Sequence, residues 1–345
     1  MFSLTILTRQ FLSKITRIVA SILLAIFSLS CGQPDAYVYN EGPVYGTYYN
    51  IVYESKGGKD LHTEIKQLFA DYDLSFSTFN PLSTISKINQ NERVVLDPWF
   101  TNCYLRSVEI SELTGGAFDI TVAPLVNAWG FGFSKKDRIT PELIDSLLSL
   151  TGYRKVKLEN GRIKKEHPSI MLDMSAIAKG YATDLIAGFL ADQGCENYMV
   201  EIGGEVVARG KNAKGNTWSI GISKPDESGL LAEQELQAIL RLDGKALATS
   251  GNYRNFYEED GQRYAHTIDP STGYPTQHNL LSATVIANDC MTADALATAF
   301  MVLGLERSVA LCKSLQDIDV YLIYSDSNGF NTIYLSDGFP KYLVE

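Results

Sequence analysis

The sequence is short of positive charge. Its 345 residues include 30 lysines and arginines against 40 aspartates and glutamates, which gives a formal charge of −10. A general affinity for nucleic acid needs a basic face that neutralises phosphates, and an acidic chain does not supply one. Hydrophobic residues make up 45% of the chain, which excludes wholesale disorder and low-complexity architectures. We therefore expect a folded globular protein with no nucleic-acid partner.

Cysteine and histidine are scarce and form no recognised metal-binding motif. The five cysteines include no CxxC pair, and the four histidines include no HExxH arrangement. These absences argue against a zinc finger, a thioredoxin-type redox site and a catalytic zinc. In an oxidising compartment some of the cysteines could pair, but they are too few for a disulfide scaffold. The four cysteines beyond the amino-terminal leader are Cys103, Cys195, Cys290 and Cys312.

Two glycine-rich phosphate-binding motifs are also missing. No GxGxxG follows a strand with an acidic residue about twenty positions later, and the pattern GxxxxGK[ST] does not occur. Glycines instead lie beside carboxylates in three turns, at residues 115–119, 203–205 and 269–273. Taken singly, each turn indicates a position that needs a positive φ at glycine.

Long apolar runs are absent except near the amino terminus. The only charges in residues 1–17 are Arg9, Lys14 and Arg17, and residues 18–29 are almost wholly apolar. A run of about a dozen apolar residues is typical of an export signal and is short for a membrane span, which needs about 20. We expect no later run to be long and uncharged enough to replace it. We therefore expect residues 1–30 to be a signal peptide, with no integral transmembrane domain.

Cys31 follows this leader in the manner of a bacterial lipoprotein cysteine. Small Ser30 precedes it and Gly32 follows it. We expect an exported protein whose Cys31 anchors it to a membrane on the periplasmic side; ordinary cleavage that leaves a free thiol is the alternative. The polar residues 31–43 would form a tether, and residues 44–345 the folded domain. Removing residues 1–30 takes away three positive charges and no negative ones, which leaves −13.

Helical and strand patterns are mixed along the rest of the chain without a strict βαβ rhythm, which favours an α+β fold over a doubly wound sheet. Helical spacing appears at residues 61–74 and 99–114, after Thr140 as the predicted cap, and from Thr292 to Leu303. Strand patterns appear at residues 45–53, 198–202, 219–222, 238–242, 246–249, 264–268, 282–286, 320–324 and 332–335.

Asp294 and Thr298 are four positions apart in one predicted helix and therefore share a face. A carboxylate and a hydroxyl are hard ligands that suit Mg²⁺, which takes one or two protein carboxylates and completes its octahedron with waters and phosphate oxygens. The alternative is that Asp294, near a helix start, only interacts favourably with the helix dipole. The spacing alone leaves both open.

Lys179 and His266 are the other two candidates for chemistry. Residues 172–184 read as a strand end that turns into a helix with Ser175 as cap, and a helix start with a nearby lysine suits a phosphate. Lys179 could equally pair with a surface acid. His266 could be a general base or a structural histidine in the core.

Taken together and in order, these segments resemble the FAD:protein FMN transferases of the ApbE family. The resemblance covers roughly residues 44–304. It rests on YGT at 45–47, STF within residues 74–89, GAFDITVAPLVNAWGFG at 116–132, VEIGGE at 200–205, ATSGNY at 248–253, HTIDPSTGYP at 266–275, and residues 173–184 and 292–298.

The resemblance implies a single two-lobed α+β domain with mixed or antiparallel sheets flanked by helices and FAD in the cleft between the lobes. It implies transfer of the FMN part of FAD to a Thr or Ser hydroxyl of a target protein, with release of AMP. Asp294, Thr298 and the carbonyl of Ala176 would hold Mg²⁺, and His266 would deprotonate the acceptor hydroxyl. Contacts with FAD would fall on Tyr45, Phe79, Ala117, Phe118, Asp119, Asp173, Lys179 and Ile268.

This chain departs from the family at two positions. Tyr45 stands where members commonly have Met, and Ala297 stands where some members carry a second Asp, so fewer carboxylates face the metal. Because FAD would approach an acidic chain, local cations must compensate, and Lys179 and Arg254 are available.

Two other functions remain open. One is an FAD pyrophosphatase that gives FMN and AMP; the other is a lipoprotein that binds FAD without turnover.

The family's acceptor motif, Ser or Thr followed by Gly, Ala and then Ser or Thr, is absent from the chain. We therefore expect the acceptor to be another exported protein that carries this motif, such as a subunit of a membrane redox complex.

Overall fold

An eight-stranded antiparallel sheet forms the centre of the protein. The computed structural model describes residues 35–132, 138–224, 236–252, 256–259 and 262–344. The strand order in the sheet is β1-β2-β5-β6-β9-β12-β13-β14, and every described ladder in it is antiparallel. The α+β class predicted from the sequence is confirmed, and the sheet is antiparallel rather than mixed.

The strands are β1 (Ala36–Val44), β2 (Thr47–Ser55), β3 (Val156–Glu159), β4 (Arg162–Lys165), β5 (Tyr198–Ile202), β6 (Glu205–Arg209), β7 (Trp218–Ser223), β8 (Leu236–Leu242), β9 (Lys245–Gly251), β10 (Phe256–Glu259), β11 (Gln262–Ala265), β12 (Leu280–Ala287), β13 (Asp319–Ser325) and β14 (Asn331–Leu335). The helices are α1 (His62–Phe76), α2 (Thr84–Asn89), α3 (Pro98–Leu113), α4 (Ala123–Ala128), α5 (Pro141–Ser149), α6 (Ser175–Asp192) and α7 (Cys290–Ser314).

The two faces of the sheet are covered differently. Strand β2 turns Tyr49, Ile51 and Tyr53 toward the helices, in the large core cluster that also contains buried residues of α6 and α7. Its Val52 faces the other side, where the β7–β8 hairpin and a 3₁₀ turn at Phe339–Tyr342 form a second cluster. This period-2 alternation lets one strand supply both cores. Helices α6 and α7 thus pack directly on the sheet, and α1 and α3 pack on them.

Helix α7 is long and apolar enough, by length and composition, to cross a membrane. The apolar pattern predicted this helix only as far as Leu303, and the structure extends it to Ser314. Here most of the helix is buried against α6, β9 and β12, which is the position of a core helix in a globular domain. Gly304 interrupts its regular geometry with a φ of 75°, a conformation that glycine adopts without strain.

The folded domain begins earlier than the predicted boundary at residue 44. Residues 36–43 of the predicted tether pair with β2 as the edge strand β1. Asn40 is buried in this strand and hydrogen-bonds Asp60. The glycine and proline at residues 42 and 43 suggested a linker, but proline is tolerated on an edge strand because its missing N–H is not needed for pairing there.

Helix starts follow their capping residues. Thr140 accepts a hydrogen bond from the amide of Leu143, so the predicted cap of α5 is confirmed. The prediction for Ser175 was wrong: it is the first residue of α6, and its amide donates to Oδ1 of Asp173. An aspartate two residues earlier forms the same local bond more effectively than a hydroxyl.

The strand expected at residues 264–268 is shorter than predicted. Strand β11 ends at Ala265, and Ile268 forms only an isolated bridge with Pro275. The four cysteines beyond the leader are free and buried. The predicted signal peptide, Cys31, most of the polar segment at residues 224–235, and Arg254 lie outside the described residues.

Candidate active site

The carboxylate of Asp294 is buried where α6 crosses α7. Only 3% of the residue is exposed, and its Oδ2 accepts a hydrogen bond of 2.9 Å from the amide of Gly180. A Cβ on Gly180 would collide with the carbonyl of Cys290 and lie 2.8 Å from Cβ of Asp294, so only glycine fits at this crossing. The cap of α7 is Asp289. Asp294 is therefore not a surface acid placed for the helix dipole.

Thr298 lies one helical turn after Asp294 on the same face of α7. Its hydroxyl is 3.3 Å from Oγ of Ser250, which lies near the end of β9. The helix face that carries the acid and the alcohol thus touches α6 at one residue and the sheet at the other. Two hard oxygen donors lie at this junction.

Lys179 lies between two buried carboxylates. Its Nζ is 2.7 Å from Oε1 of Glu205 and 4.0 Å from Oδ1 of Asp294. The lysine side chain is 33% exposed and that of Glu205 is 5% exposed. Burial alone would lower the pKa of Lys179, but Asp294 and Glu205 outweigh burial and raise it. Burial raises the pKa of Glu205 to about 7, against the attraction of Lys179. The lysine stays charged, and two of its three N–H groups remain for a ligand.

The carbonyl of Ala176 lies close to Asp294 by helix geometry. In an α-helix the amide of residue i+4 is about 3 Å from the carbonyl oxygen of residue i. The amide of Gly180 therefore lies near both Ala176 O and Oδ2 of Asp294, and these two oxygens are at most about 6 Å apart. A backbone oxygen of α6 is thus available beside the side-chain oxygens of α7.

Asp119 fastens the turn that follows α3. Its Oδ1 accepts hydrogen bonds from the amide and hydroxyl of Thr121 at 2.8 and 2.6 Å, and its Oδ2 accepts one from the amide of Tyr153 at 2.7 Å. Burial raises the pKa of Asp119 despite these bonds. Ala117 and Phe118 are buried as well. This turn therefore offers a ligand mainly its backbone groups.

Asp173 joins that turn to the start of α6. Its amide donates to the carbonyl of Ile120 at 2.8 Å, and its Oδ1 accepts from the amide of Ser175 at 2.8 Å. The predicted nucleotide contacts at residues 117–119 are thereby held next to the helix that carries Lys179.

His266 is connected to the same region through Asn252. The neighbouring Thr267 donates a 2.7 Å hydrogen bond to Oδ1 of Asn252, which directly follows β9 and its Ser250. His266 itself is half-buried, with its ring edge-on to Phe131 at a centroid distance of 6.4 Å. Ile268 is buried, and its side chain packs with a small apolar cluster formed by Leu125, Trp129 and Ile144. Only the backbone of Ile268 is thus available to a ligand.

The two predicted aromatic contacts lie in different surroundings. Phe79 follows α1 and is 83% exposed. Tyr45 is packed between the rings of Phe69 and Tyr72, each 5.8 Å away, and its hydroxyl donates to the carbonyl of Phe69 at 2.9 Å. Tyr45 also lines a cavity of about 320 Å³ between α1 and α6, which none of the other predicted site residues lines.

Two acids that organise this region were not predicted from the sequence. The pattern at residues 203–205 indicated only a glycine turn, yet Glu205 forms the shorter of the two ion-pair contacts of Lys179. Asp184 accepts 2.8 Å hydrogen bonds from the amides of Cys290 and Met291, which fastens the start of α7 to α6. Burial raises the pKa of Asp184 to about 7, although these two bonds oppose the change. Asp184 lies four residues after Gly180 and therefore on the same helix face, which was a weak signal for the second of them.

The described residues contain no group of three or more His, Cys, Asp or Glu that could hold a metal ion. The donors gathered here are of another kind: one carboxylate, one hydroxyl and one backbone carbonyl. All three are hard oxygens, and such a set suits Mg²⁺ when substrate phosphates and waters complete the coordination. The residues present therefore fit Mg²⁺ better than zinc or another soft-ligand metal.

A family model and curated relatives match this chain over most of its length. The ApbE family model matches residues 45–322. An FAD:protein FMN transferase of Vibrio cholerae is 39% identical over 334 residues, which cover 94% of this chain and 97% of that protein. One of Haemophilus influenzae is 35% identical over 336 residues, which cover 93% of this chain and 96% of that protein.

Solved structures match in the same way. The flavin transferase ApbE from Vibrio cholerae has a TM-score of 0.80 and 38% identity, and the match covers 90% of this chain and all of that one. The apo form of the flavinyl transferase ApbE from Pseudomonas stutzeri has a TM-score of 0.79 and 32% identity, with 89% and 96% covered.

Proposed function

The chain belongs to the ApbE family, and on this basis we propose that it is an FAD:protein FMN transferase. In this reaction a Thr or Ser hydroxyl of an acceptor protein forms a bond to the phosphorus of the FMN half of FAD. The bond from that phosphorus to the bridging oxygen breaks, and AMP leaves with the electron pair. Phosphoryl-type transfer of this kind depends on positioning and charge neutralisation rather than on covalent chemistry by the protein.

The residues that would hold Mg²⁺ are Asp294, Thr298 and the carbonyl of Ala176. When bound, the ion would neutralise charge on the pyrophosphate. The observation that carries the proposal is the buried carboxylate of Asp294, which the amide of Gly180 holds at 2.9 Å beside the ammonium of Lys179. A buried acid next to a partly exposed cation is an arrangement that can take up both a divalent ion and a polyanionic substrate.

Lys179 supplies the positive charge that the rest of the molecule lacks. The mature chain carries −13 if residues 1–30 are removed, so FAD approaches against a repulsive field that physiological salt screens beyond roughly 8 Å. The ammonium of Lys179 keeps its charge between two acids and has N–H groups to donate to phosphate oxygens. It would therefore bind the pyrophosphate directly.

The remaining family positions would orient the two substrates. His266 would take the proton of the acceptor hydroxyl as the new bond to phosphorus forms. The exposed ring of Phe79 would contact the flavin. The backbone of the turn at residues 117–119, held by Asp119, would contact the nucleotide, together with Asp173, Tyr45 and the backbone of Ile268.

The protein would work at a membrane surface outside the cytoplasm. The leader at residues 1–30 and the cysteine at position 31 support export and lipid anchoring on the periplasmic side. Because the chain lacks the acceptor motif, transfer would be to another exported protein, such as a subunit of a membrane redox complex. A lipid anchor would keep enzyme and acceptor at the same surface.

One incubation tests the proposal. The mature protein is mixed with FAD, Mg²⁺ and an acceptor fragment that contains the Ser/Thr-Gly-Ala-Ser/Thr motif. We expect a fluorescent flavin–protein band on a denaturing gel, and AMP in the filtrate. FMN and AMP without a labelled band would instead identify a pyrophosphatase, and intact FAD that stays with the protein on gel filtration would identify a protein that only binds it.

A further inference from the structure

Glu205 is a buried acid that is satisfied at only one of its two oxygens. Its Oε1 accepts a 2.7 Å hydrogen bond from Nζ of Lys179. Its Oε2 is buried and has no hydrogen-bond partner among the described residues. A carboxylate that has lost its hydration is normally hydrogen-bonded at both oxygens. Among the described residues, Lys179 is the one side chain that forms a hydrogen bond with Glu205. The question is therefore what this acid does for Lys179.

Lys179 could pair with either of two carboxylates. It contacts Glu205 at 2.7 Å, whereas Oδ1 of Asp294 is 4.0 Å from the same nitrogen. A lysine side chain has a flexible four-carbon stem, so a shift of about 1 Å would bring its ammonium into hydrogen-bond contact with Asp294. Glu205 and Asp294 thus compete for one cation.

We propose that Glu205 is a positioning residue that holds the ammonium of Lys179 away from Asp294 and so keeps Oδ1 of Asp294 open to a divalent cation. This inference rests on the proposed function, which assigns Asp294 to Mg²⁺. A divalent cation at Asp294 repels the nearby ammonium, and a second carboxylate behind the lysine offsets that repulsion. Glu205 acts on the metal site through Lys179 and touches neither metal nor substrate.

The backbone around Glu205 fixes its position. Glu205 is the first residue of β6 and pairs with Ile202 across the turn from β5. Gly203 in this turn has a φ of 66°, and a Cβ there would lie 2.8 Å from Cγ2 of Thr47 and 3.4 Å from Oε2 of Glu205. The turn is therefore tight against both side chains. A carboxylate on a sheet strand with a tight turn before it is a rigid anchor for a flexible lysine.

The role is tested by measuring how tightly the protein binds Mn²⁺ in the absence of FAD. Electron paramagnetic resonance gives the concentration of the free ion. Glu205→Gln keeps the shape of the side chain and removes its charge, so Lys179 should move onto Asp294 and weaken Mn²⁺ binding by about tenfold. Adding Lys179→Met to that variant removes the competing cation and should restore Mn²⁺ binding at least to the wild-type affinity. In the transfer assay, Glu205→Gln should raise the Mg²⁺ concentration needed for half-maximal rate more than it lowers kcat at saturating Mg²⁺.

The matched control is Glu201→Gln, which alters an acid in β5 beside the same turn. Oε1 of Glu201 accepts a hydrogen bond of 2.9 Å from the amide of Gly204. This control should bind Mn²⁺ as the wild type does. Unchanged Mn²⁺ affinity in Glu205→Gln, or a double variant that binds no better than Glu205→Gln, would overturn the positioning role while leaving the transferase intact. A wild-type protein that binds no Mn²⁺ would overturn the metal assignment of Asp294 and this inference with it.

Discussion

At the scale of single residues, the neighbours of a side chain decide what it can do. Lys179 and Asp294 are ordinary surface residue types, yet here they form a charged group that is largely removed from solvent. Removing charges from water is costly unless they are paired and hydrogen-bonded. Such buried charged groups occur most often at functional sites, where they interact with a substrate.

Asp294→Asn should lower the rate of FMN transfer by about 100-fold or more, because the proposed Mg²⁺ site would lose its one carboxylate. The amide oxygen of the new side chain can still accept the hydrogen bond from Gly180, so the fold should persist. Circular dichroism checks the fold, and Glu306→Gln, an exposed change on the same helix, serves as control. Turnover that survives in Asp294→Asn with EDTA present would refute the metal role.

His266→Ala should reduce kcat by roughly 100-fold or more and leave the affinity for FAD nearly unchanged, because a general base acts on the acceptor rather than on the nucleotide. Steady-state kinetics measures kcat, and a fluorescence titration with FAD measures the affinity. His167→Ala, at an exposed position, should change neither. An unaltered kcat in His266→Ala would remove this residue as the base.

Asp184→Asn should flatten the dependence of stability on pH. Because the pKa of Asp184 is about 7 in the folded protein and near 4 in the unfolded chain, the folded state binds more protons between these values. The contribution of Asp184 to the free energy of unfolding is therefore fully present below about pH 4 and is lost as the pH rises through about 7. From pH 5 to pH 8 the free energy of unfolding of the variant should fall by roughly 1 to 2 kcal/mol less than that of the wild type. Urea unfolding at the two pH values measures this; equal losses in both proteins would contradict it.

At the scale of elements, the crossing of α6 and α7 creates the site. The two helices meet with a glycine at the contact, which lets a backbone amide of one reach a carboxylate of the other. Asp184 adds a second tie, from α6 to the first amides of α7. A helix start offers unpaired N–H groups, and an aspartate satisfies two of them here. The position of the α7 face that carries Asp294 and Thr298 is therefore set by α6.

Gly180→Ala should destabilise the protein by about 1 to 3 kcal/mol, because its methyl group would overlap the carbonyl of Cys290 and push the helices apart. It should also reduce transfer more than the loss of stability explains, since Asp294 would lose its amide partner. Gly188→Ala is the matched control on the same helix: an added Cβ there meets nothing within 4 Å. It should stabilise the protein by about 0.5 to 1 kcal/mol through helix propensity. Thermal unfolding and the transfer assay compare the two, and equal stability of both variants would contradict the close packing of α6 on α7.

At the scale of the whole molecule, the central sheet supports the site, because two residues beside it lie on neighbouring strands and the helices α6 and α7 pack on the sheet. Glu205 is the first residue of β6, and Ser250 lies near the end of the neighbouring strand β9. Each strand from β2 to β13 in the sheet order is hydrogen-bonded to the next. The edge strand β1 belongs to this unit: Tyr37 lies edge-on to Trp218 at 6.4 Å and donates a hydrogen bond to the carbonyl of Lys211. The folded unit is thus larger at its amino terminus than the chain's turn residues suggested.

A chain that begins at Val44, without most of β1, should be less stable than one that begins at Asp35 by roughly 3 kcal/mol, because it loses several hydrogen bonds of about 1 kcal/mol each and exposes β2 as an edge. Among the lost contacts are those of Asn40 with Asp60 and Tyr53. The longer chain should unfold at the same temperature as the mature protein. Differential scanning calorimetry measures both, and equal melting temperatures would show that β1 is dispensable.

The sequence by itself determined what is local. Local sequence patterns predicted the five longer helices and most strands but neither of the six-residue helices α2 and α4. Thr140 predicted the start of α5, because such features depend on neighbours a few positions away. The ordered motifs identified the family. They left open whether Asp294 is buried or exposed, and whether Lys179 faces an acid on the surface or in the interior.

Only the tertiary structure decided those questions. Lys179 meets Glu205 across 26 positions, and Gly180 meets Asp294 across 114. Contacts between segments so far apart depend on which helix faces pack together and how closely. A pattern of residue types within one segment carries no information on either, so the competition of two acids for one lysine appears only when the sheet and the two helices are assembled.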